Sequence, residues 1–276
     1  MTTQLPQNEI KELALLTDLH LDRADNEAKN RLWDMLAGIR YDAALITGDI
    51  SVAALLQNHL ALISRACWPR PVYFLLGNHD YFGSSLARVN LLVEATCKRH
   101  LNLIPVGLGE IVRLTRSTAI VAHAGWYDGQ AGSGARTCID TPDRLRIDDF
   151  QSLSRREFFA KLRNFGHESA KYFRLVLPSV LRKFDTVLIA THVPPFWQGV
   201  LHGGGPCDWN HQPYFSNMAA GNVIASIARY FPRRRVIVHA GHTHCQAHAR
   251  LSANLEIRVA GSQPGFPTIN CVMQVD

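Results

Sequence analysis

The chain lacks any long apolar run. Stretches such as Ala53–Leu56 and Val236–Val238 fall far short of the roughly 20 residues a membrane span needs. The first twelve residues, MTTQLPQNEIKE, show no basic segment leading into an apolar one. No secretory leader is expected, and a cytoplasmic protein is. Six cysteines are scattered at 67, 97, 138, 207, 245 and 271 with no CxxC pair. That spacing predicts reduced, mostly buried thiols. Internal repeats, coiled-coil heptads, low-complexity tracts, zinc-finger spacing and aromatic-interleaved RNA motifs are all missing.

What is present is a 276-residue chain with 47% hydrophobic residues. That is enough for one elaborated α/β domain over 1–276. Apolar, often β-branched runs predict strands at 13–17, 43–47, 72–76, 118–123, 186–191 and 235–239. Helical periodicity falls between them, around 32–39, 52–66 and 86–97. Strands alternating with helices argue for βαβ units with right-handed crossovers. Residues 125–184 read as a helical insertion, with helices near 149–164 and 169–183, the second ended or kinked by Pro178. Residues 194–216, rich in proline and glycine, read as a long functional loop.

Five segments place metal-ligand residues directly after apolar runs: Asp18-Leu19-His20, Gly48-Asp49, Gly77-Asn78-His79-Asp80, Thr191-His192 and Gly241-His242-Thr243-His244. C-terminal strand ends of a parallel sheet lie along one edge, so the five loops can converge. Asp18 and Asp49 offer hard anionic oxygens. His20, His192, His242 and His244 offer imidazoles, and Asn78 a neutral amide oxygen. This mixed set suits two divalent ions of the Mn, Fe, Zn, Ni or Co type better than Ca or Mg alone. Two such ions clamp the attacking and leaving oxygens of a displacement at phosphorus.

The ordered series DLH, GD, GNHD, H and GHTH resembles the calcineurin-like metallophosphoesterase superfamily, whose signature is D-x-H, G-D, G-N-H-[DE], H and G-H-x-H. The resemblance runs from Asp18 to His244. It implies a four-layer α/β/β/α sandwich and a phosphatase or phosphodiesterase that works by attack of a metal-bound hydroxide. It further implies that Asp18, His20 and His244 hold one metal and that Asn78, His192 and His242 hold the other. Asp49 would bridge them, and His79 would face the phosphate ester as the catalytic residue. One departure narrows the branch. GDISVAA stands where the Ser/Thr protein phosphatases have G-D-x-x-D-R-G, which argues against a phosphoprotein substrate.

Other features leave alternatives open. Asp80 either orients the metal loop or caps the helix near Ser84. His123, Trp126, Tyr127 and Asp128 either line a substrate pocket or pack the core. His202 or His211 either meets substrate phosphate or is an exposed loop histidine. Between Arg144 and Lys183, ten Lys or Arg stand against four Asp or Glu, which carries the chain's entire net charge of +6. That stretch is either a solvated helix face or a basic wall for an anion, and a nuclease acting on DNA or RNA is the alternative function.

Overall fold

The computed structural model describes residues 9–107 and 111–276. In chain order the strands are β1 (Glu12–Leu16), β2 (Ala43–Thr47), β3 (Val72–Leu75), β4 (Leu103–Pro105), β5 (Ile111–Arg113), β6 (Thr118–Ala122), β7 (Thr186–Ala190), β8 (Leu201–His202), β9 (Gly205–Pro206), β10 (Arg235–Ala240), β11 (Ala247–Ser252), β12 (Leu255–Val259) and β13 (Cys271–Gln274). The helices are α1 (Asn26–Gly38), α2 (Ala53–Cys67), α3 (Leu86–Cys97), α4 (Pro142–Arg146), α5 (Asp148–Gln151), α6 (Arg155–Lys183) and α7 (Met218–Arg229).

One sheet has the order β13-β1-β2-β3-β4, and the other β11-β12-β10-β7-β6-β5. Their interiors are parallel; β13, β11 and β5 run antiparallel at or near the edges. The period-two alternation of the strands builds the layers. Leu13, Leu15, Leu45 and Leu75 face Ile120, Ala122, Leu188 and Ile237 of the other sheet. Their neighbours Ala14, Leu16, Ile46 and Phe74 face outward onto Leu32, Leu56, Leu60 and Val89 of α1–α3. On the far side, Val121, Val187, Ile189 and Val238 pack against Phe173, Leu177, Leu181 and Ile224 of α6 and α7. The result is the expected α/β/β/α sandwich.

Several expectations are corrected. The two helices foreseen at 149–164 and 169–183 are largely one 29-residue helix, α6, opened by a Ser154/Glu157 capping box. Pro178 lies inside α6 and does not end it. The carbonyl it leaves unpaired belongs to Arg174, which is exposed to water, while Phe173, Leu177, Val180 and Leu181 bury the opposite face. The 194–216 stretch carries a small β8–β9 hairpin and two 3-10 turns. Of the cysteines only Cys67 and Cys207 are buried; Cys138 and Cys271 are exposed. Among the described residues no helix is long and apolar enough to cross a membrane.

Candidate metal centre

β1, β2, β3, β7 and β10 end on one edge, and each hands the chain to a short turn carrying ligand-type residues. These turns are tight. Among the described residues the non-glycine positions with positive φ are Asp18, His20, Asp49, His242 and His244. All five belong to the expected ligand set, a conformation L-residues rarely adopt without compensation. The motif glycines explain how the turns approach one another. A Cβ on Gly77 would collide with Asp49 Oδ1 and His192 Nε2, and one on Gly241 with Thr17 Oγ1 and Asp18 Oδ2.

The seven residues converge as two groups joined by Asp49. In the first, one donor atom from each of Asp18, His20, Asp49 and His244 lies within 4.8 Å of the others. His20 Nε2 is 2.9 Å from His244 Nε2, and His244 Nε2 is 3.3 Å from Asp18 Oδ1. His20 Nε2 is 3.7 Å from Asp49 Oδ2. In the second group, Asp49 Oδ1 lies 3.3 Å from His192 Nε2. Asn78 Oδ1 lies 3.1 Å from His192 Nε2 and 3.0 Å from His242 Nδ1, and the two imidazole nitrogens are 3.3 Å apart.

Hydrogen bonds behind this second group decide what those atoms are. His192 Nδ1 lies 2.8 Å from the Thr47 carbonyl, which can only accept, so Nδ1 donates there and Nε2 is the nitrogen turned to Asn78 and Asp49. His242 Nε2 lies 2.8 Å from the Tyr214 carbonyl, which leaves Nδ1 bare. Asn78 Nδ2 donates to Asp143 Oδ1 at 2.9 Å, which turns the amide oxygen inward. Acceptor atoms of Asn78, His192 and His242 therefore converge on one point beside Asp49 Oδ1. Such a set is stable around a cation and repulsive without one.

Electrostatics agree. Burial pushes His20 and His242 down to about 3, so both rings are the neutral, metal-ligating form at neutral pH. Burial and the neighbouring Asp18 charge push Asp49 well above the usual carboxylate range. Burial opposes ionisation of Asp18 too, but the His244 hydrogen bond and nearby imidazoles outweigh it and hold Asp18 low. A buried pair of carboxylates that cannot both ionise comfortably is what a multivalent cation would relieve.

Around this core the open alternatives resolve. Asp80 accepts from the Ser51 and Gly77 amides, both at 2.8 Å, and ties the β2 and β3 turns together. Ser85, not Asp80, caps α3. Trp126 packs with Tyr81, Phe150 and Phe165. Asp128 accepts from the Ala219 amide at the start of α7, and His123 packs on Tyr172 and Phe173. Tyr127 gives its hydroxyl proton to Asp143 Oδ2 at 2.6 Å.

Three contributors escape the motif reading. Asp143 orients Asn78, yet in sequence it is only a first-turn acid after Thr141-Pro142. Phe82 lies under His79, with ring centroids 4.2 Å apart. Arg23 is exposed beside the site, and its charge is among the causes that disfavour protonation of His79. Replacing Asp143 with alanine frees the Asn78 amide to rotate. We expect metal affinity to fall by roughly 10–100-fold with the fold intact, read by metal titration and melting temperature.

Residues 12–246 match the calcineurin-like phosphoesterase family, and the chain belongs to it. It is thus a metal-dependent phosphoric ester hydrolase built for two divalent ions. Among solved structures it is similar to a dimetal phosphatase from Danio rerio, with 12% identity, 92% of this chain and 88% of that chain covered, and a TM-score of 0.58. It is also similar to PhoD, with 9% identity, 94% and 58% covered, and a TM-score of 0.51. At these identities the likeness is one of fold. No curated protein sequence matches the chain.

Proposed function

We propose that Asp18, His20 and His244 hold one ion, that Asn78, His192 and His242 hold the second, and that Asp49 bridges them. The observation that carries this is the convergence of Asp49, Asn78, His192 and His242 on one point, with Asp49 turning Oδ1 to that group and Oδ2 to the other. The bound ions supply Lewis acidity and an activated water. The chain's own residues supply the rest. The Asn78 and Asp49 oxygens stay aimed through Asp143 and the His79 amide, which donates to Asp49 Oδ1 at 2.9 Å.

His79 sits at the mouth, 18% exposed, with Nε2 4.0 Å from Asp49 Oδ2. Burial, then His20 and Arg23, push it down to about 2. A neutral ring is suited to donating one N–H to the leaving or a phosphoryl oxygen as charge develops there. It is not a stored imidazolium. Arg23 adds a positive charge at the same mouth, suited to an incoming phosphate.

The substrate we propose is a small phosphate ester outside the phosphoprotein branch, in keeping with the GDISVAA sequence after β2. The nuclease reading rested on the 144–183 basic stretch. Of that stretch, Arg144 pairs with Asp140, Lys161 with Asp149, and Arg146 covers the Phe82 ring. Arg156, Arg163, Lys171 and Arg174 lie on the solvated face of α6. The same reading treats 1–276 as one domain, since α6 contributes to two of the core layers. It places the protein in the cytoplasm, from cysteines without paired spacing.

The test is hydrolysis of p-nitrophenyl phosphate and bis-p-nitrophenyl phosphate by metal-stripped protein, with Mn, Fe, Zn, Ni, Co and Mg restored singly. Metal-dependent cleavage of at least one ester is expected, and which one is cleaved assigns monoesterase or diesterase. Cleavage of neither, with two ions bound, would overturn the reading.

A further inference from the structure

The rim holds a second group of metal-type donors that the dinuclear centre does not use. His202, Asp208 and His211 each place a donor atom within 4.8 Å of the other two. The geometry points to a third divalent-metal site on this loop, made by His202, Asp208 and His211.

The local chain is built to hold these three. β8 and β9 are joined by Gly203-Gly204, with φ of 61° and 82°. Two consecutive positive φ values are what a two-residue hairpin turn requires. That hairpin pairs His202 with Gly205 and returns the chain toward Asp208. Asp208 Oδ1 accepts from the Asn210 and His211 amides at 2.9 and 3.3 Å. Its other oxygen, Oδ2, makes a short hydrogen bond with His211 Nδ1. The His202 and His211 rings lie 4.5 Å apart at 36°. One carboxylate oxygen is therefore anchored to the backbone, and the other is turned to the His211 imidazole, with a His202 nitrogen within reach.

Donors around one tetrahedral ion stand roughly 3–3.5 Å apart, given metal–ligand lengths near 2.0–2.2 Å. The present spacing closes to that by side-chain rotation, because His202 and Asp208 are exposed. Two imidazoles and one carboxylate suit Zn, Ni or Co and leave a coordination position open. The site is separate from the dinuclear centre but adjacent to it. The Phe215 ring lies 5.2 Å from His202 on one side and 5.3 Å from His242 on the other. A cation there would present its open position near the phosphoester, to a second anionic group on the substrate.

This inference does not depend on the assignment of ions to the buried centre. The test is zinc stoichiometry of the full chain, by equilibrium dialysis and elemental analysis, for wild type, the double variant His202→Ala/His211→Ala, and Asp208→Asn. Wild type should bind one zinc more than the double variant, with Asp208→Asn also losing that ion, at unchanged melting temperatures of the stripped proteins. Equal stoichiometry in wild type and double variant would overturn the site and leave an Asp–His ion pair only. The total in the double variant reports separately on the buried centre, where two are expected.

Discussion

Exchange of His79 for alanine is expected to lower turnover by roughly 10²–10⁴-fold while the bound metal count stays at its wild-type value. The side chain stands beside the first metal group without being one of the proposed ligands; its Nε2 is 4.0 Å from Asp49 Oδ2. Phe82 beneath it and His20 at its edge, with centroids 4.7 Å apart, keep the ring in place. The form of the loss is informative. A neutral donor predicts a pH–rate profile of unchanged shape and lower height. A stored imidazolium would instead supply an alkaline limb that vanishes in the variant. His79→Asn keeps an N–H donor and should fall less far than His79→Ala. Full activity of the alanine variant toward an unactivated ester would refute the assignment.

The second large effect runs in two directions. Asp49→Asn should weaken metal binding by more than about 100-fold, beyond the loss typical of groups that only support ligands. Activity should fall with it. The metal-free variant should nevertheless melt higher than metal-free wild type at neutral pH. Burial and Asp18 raise the Asp49 pKa in the folded state. A carboxyl raised on folding loses stability as pH climbs from its unfolded value through its folded one. Asparagine removes that penalty, and the difference should shrink as pH falls toward the unfolded pKa. A shift on the order of 2–4 °C per kcal/mol is the scale for a chain of this size. Equal melting curves at pH 7 in chelator would mean that Asp49 carries no such penalty.

Much of this centre was legible because its residues follow strands that are continuous, buried, mostly apolar runs. DLH, GD, GNHD, H and GHTH all lie one to five residues past a β-strand, and all reach the same edge. Three other features were not legible. β4 and β5 are three residues long, too short to display a period. β11 alternates half-buried and exposed residues, with polar and charged side chains among them, so it reads as surface. Pro178 broke the helical pattern on paper, but apolar contacts with α7 and the second sheet outweighed one lost hydrogen bond. Asp143 is the instructive case. Its role exists only because Asn78, 65 positions earlier, has an amide that must face one way. No local signal in Thr141-Pro142-Asp143 encodes that partner.

The five proposed ligands with left-handed backbone carry a consequence for descent. A non-glycine residue in that conformation costs roughly 1–2 kcal/mol relative to one at ease there. Glycine is the residue most at ease, and it offers no donor atom. Mutation at Asp18, Asp49 or His244 toward glycine therefore erases chemistry while relaxing the chain. Selection for a sturdier fold and selection for hydrolysis pull these positions in opposite directions. A lineage released from its substrate would be expected to lose its ligands early and keep its sandwich, with melting temperature rising as the site decays.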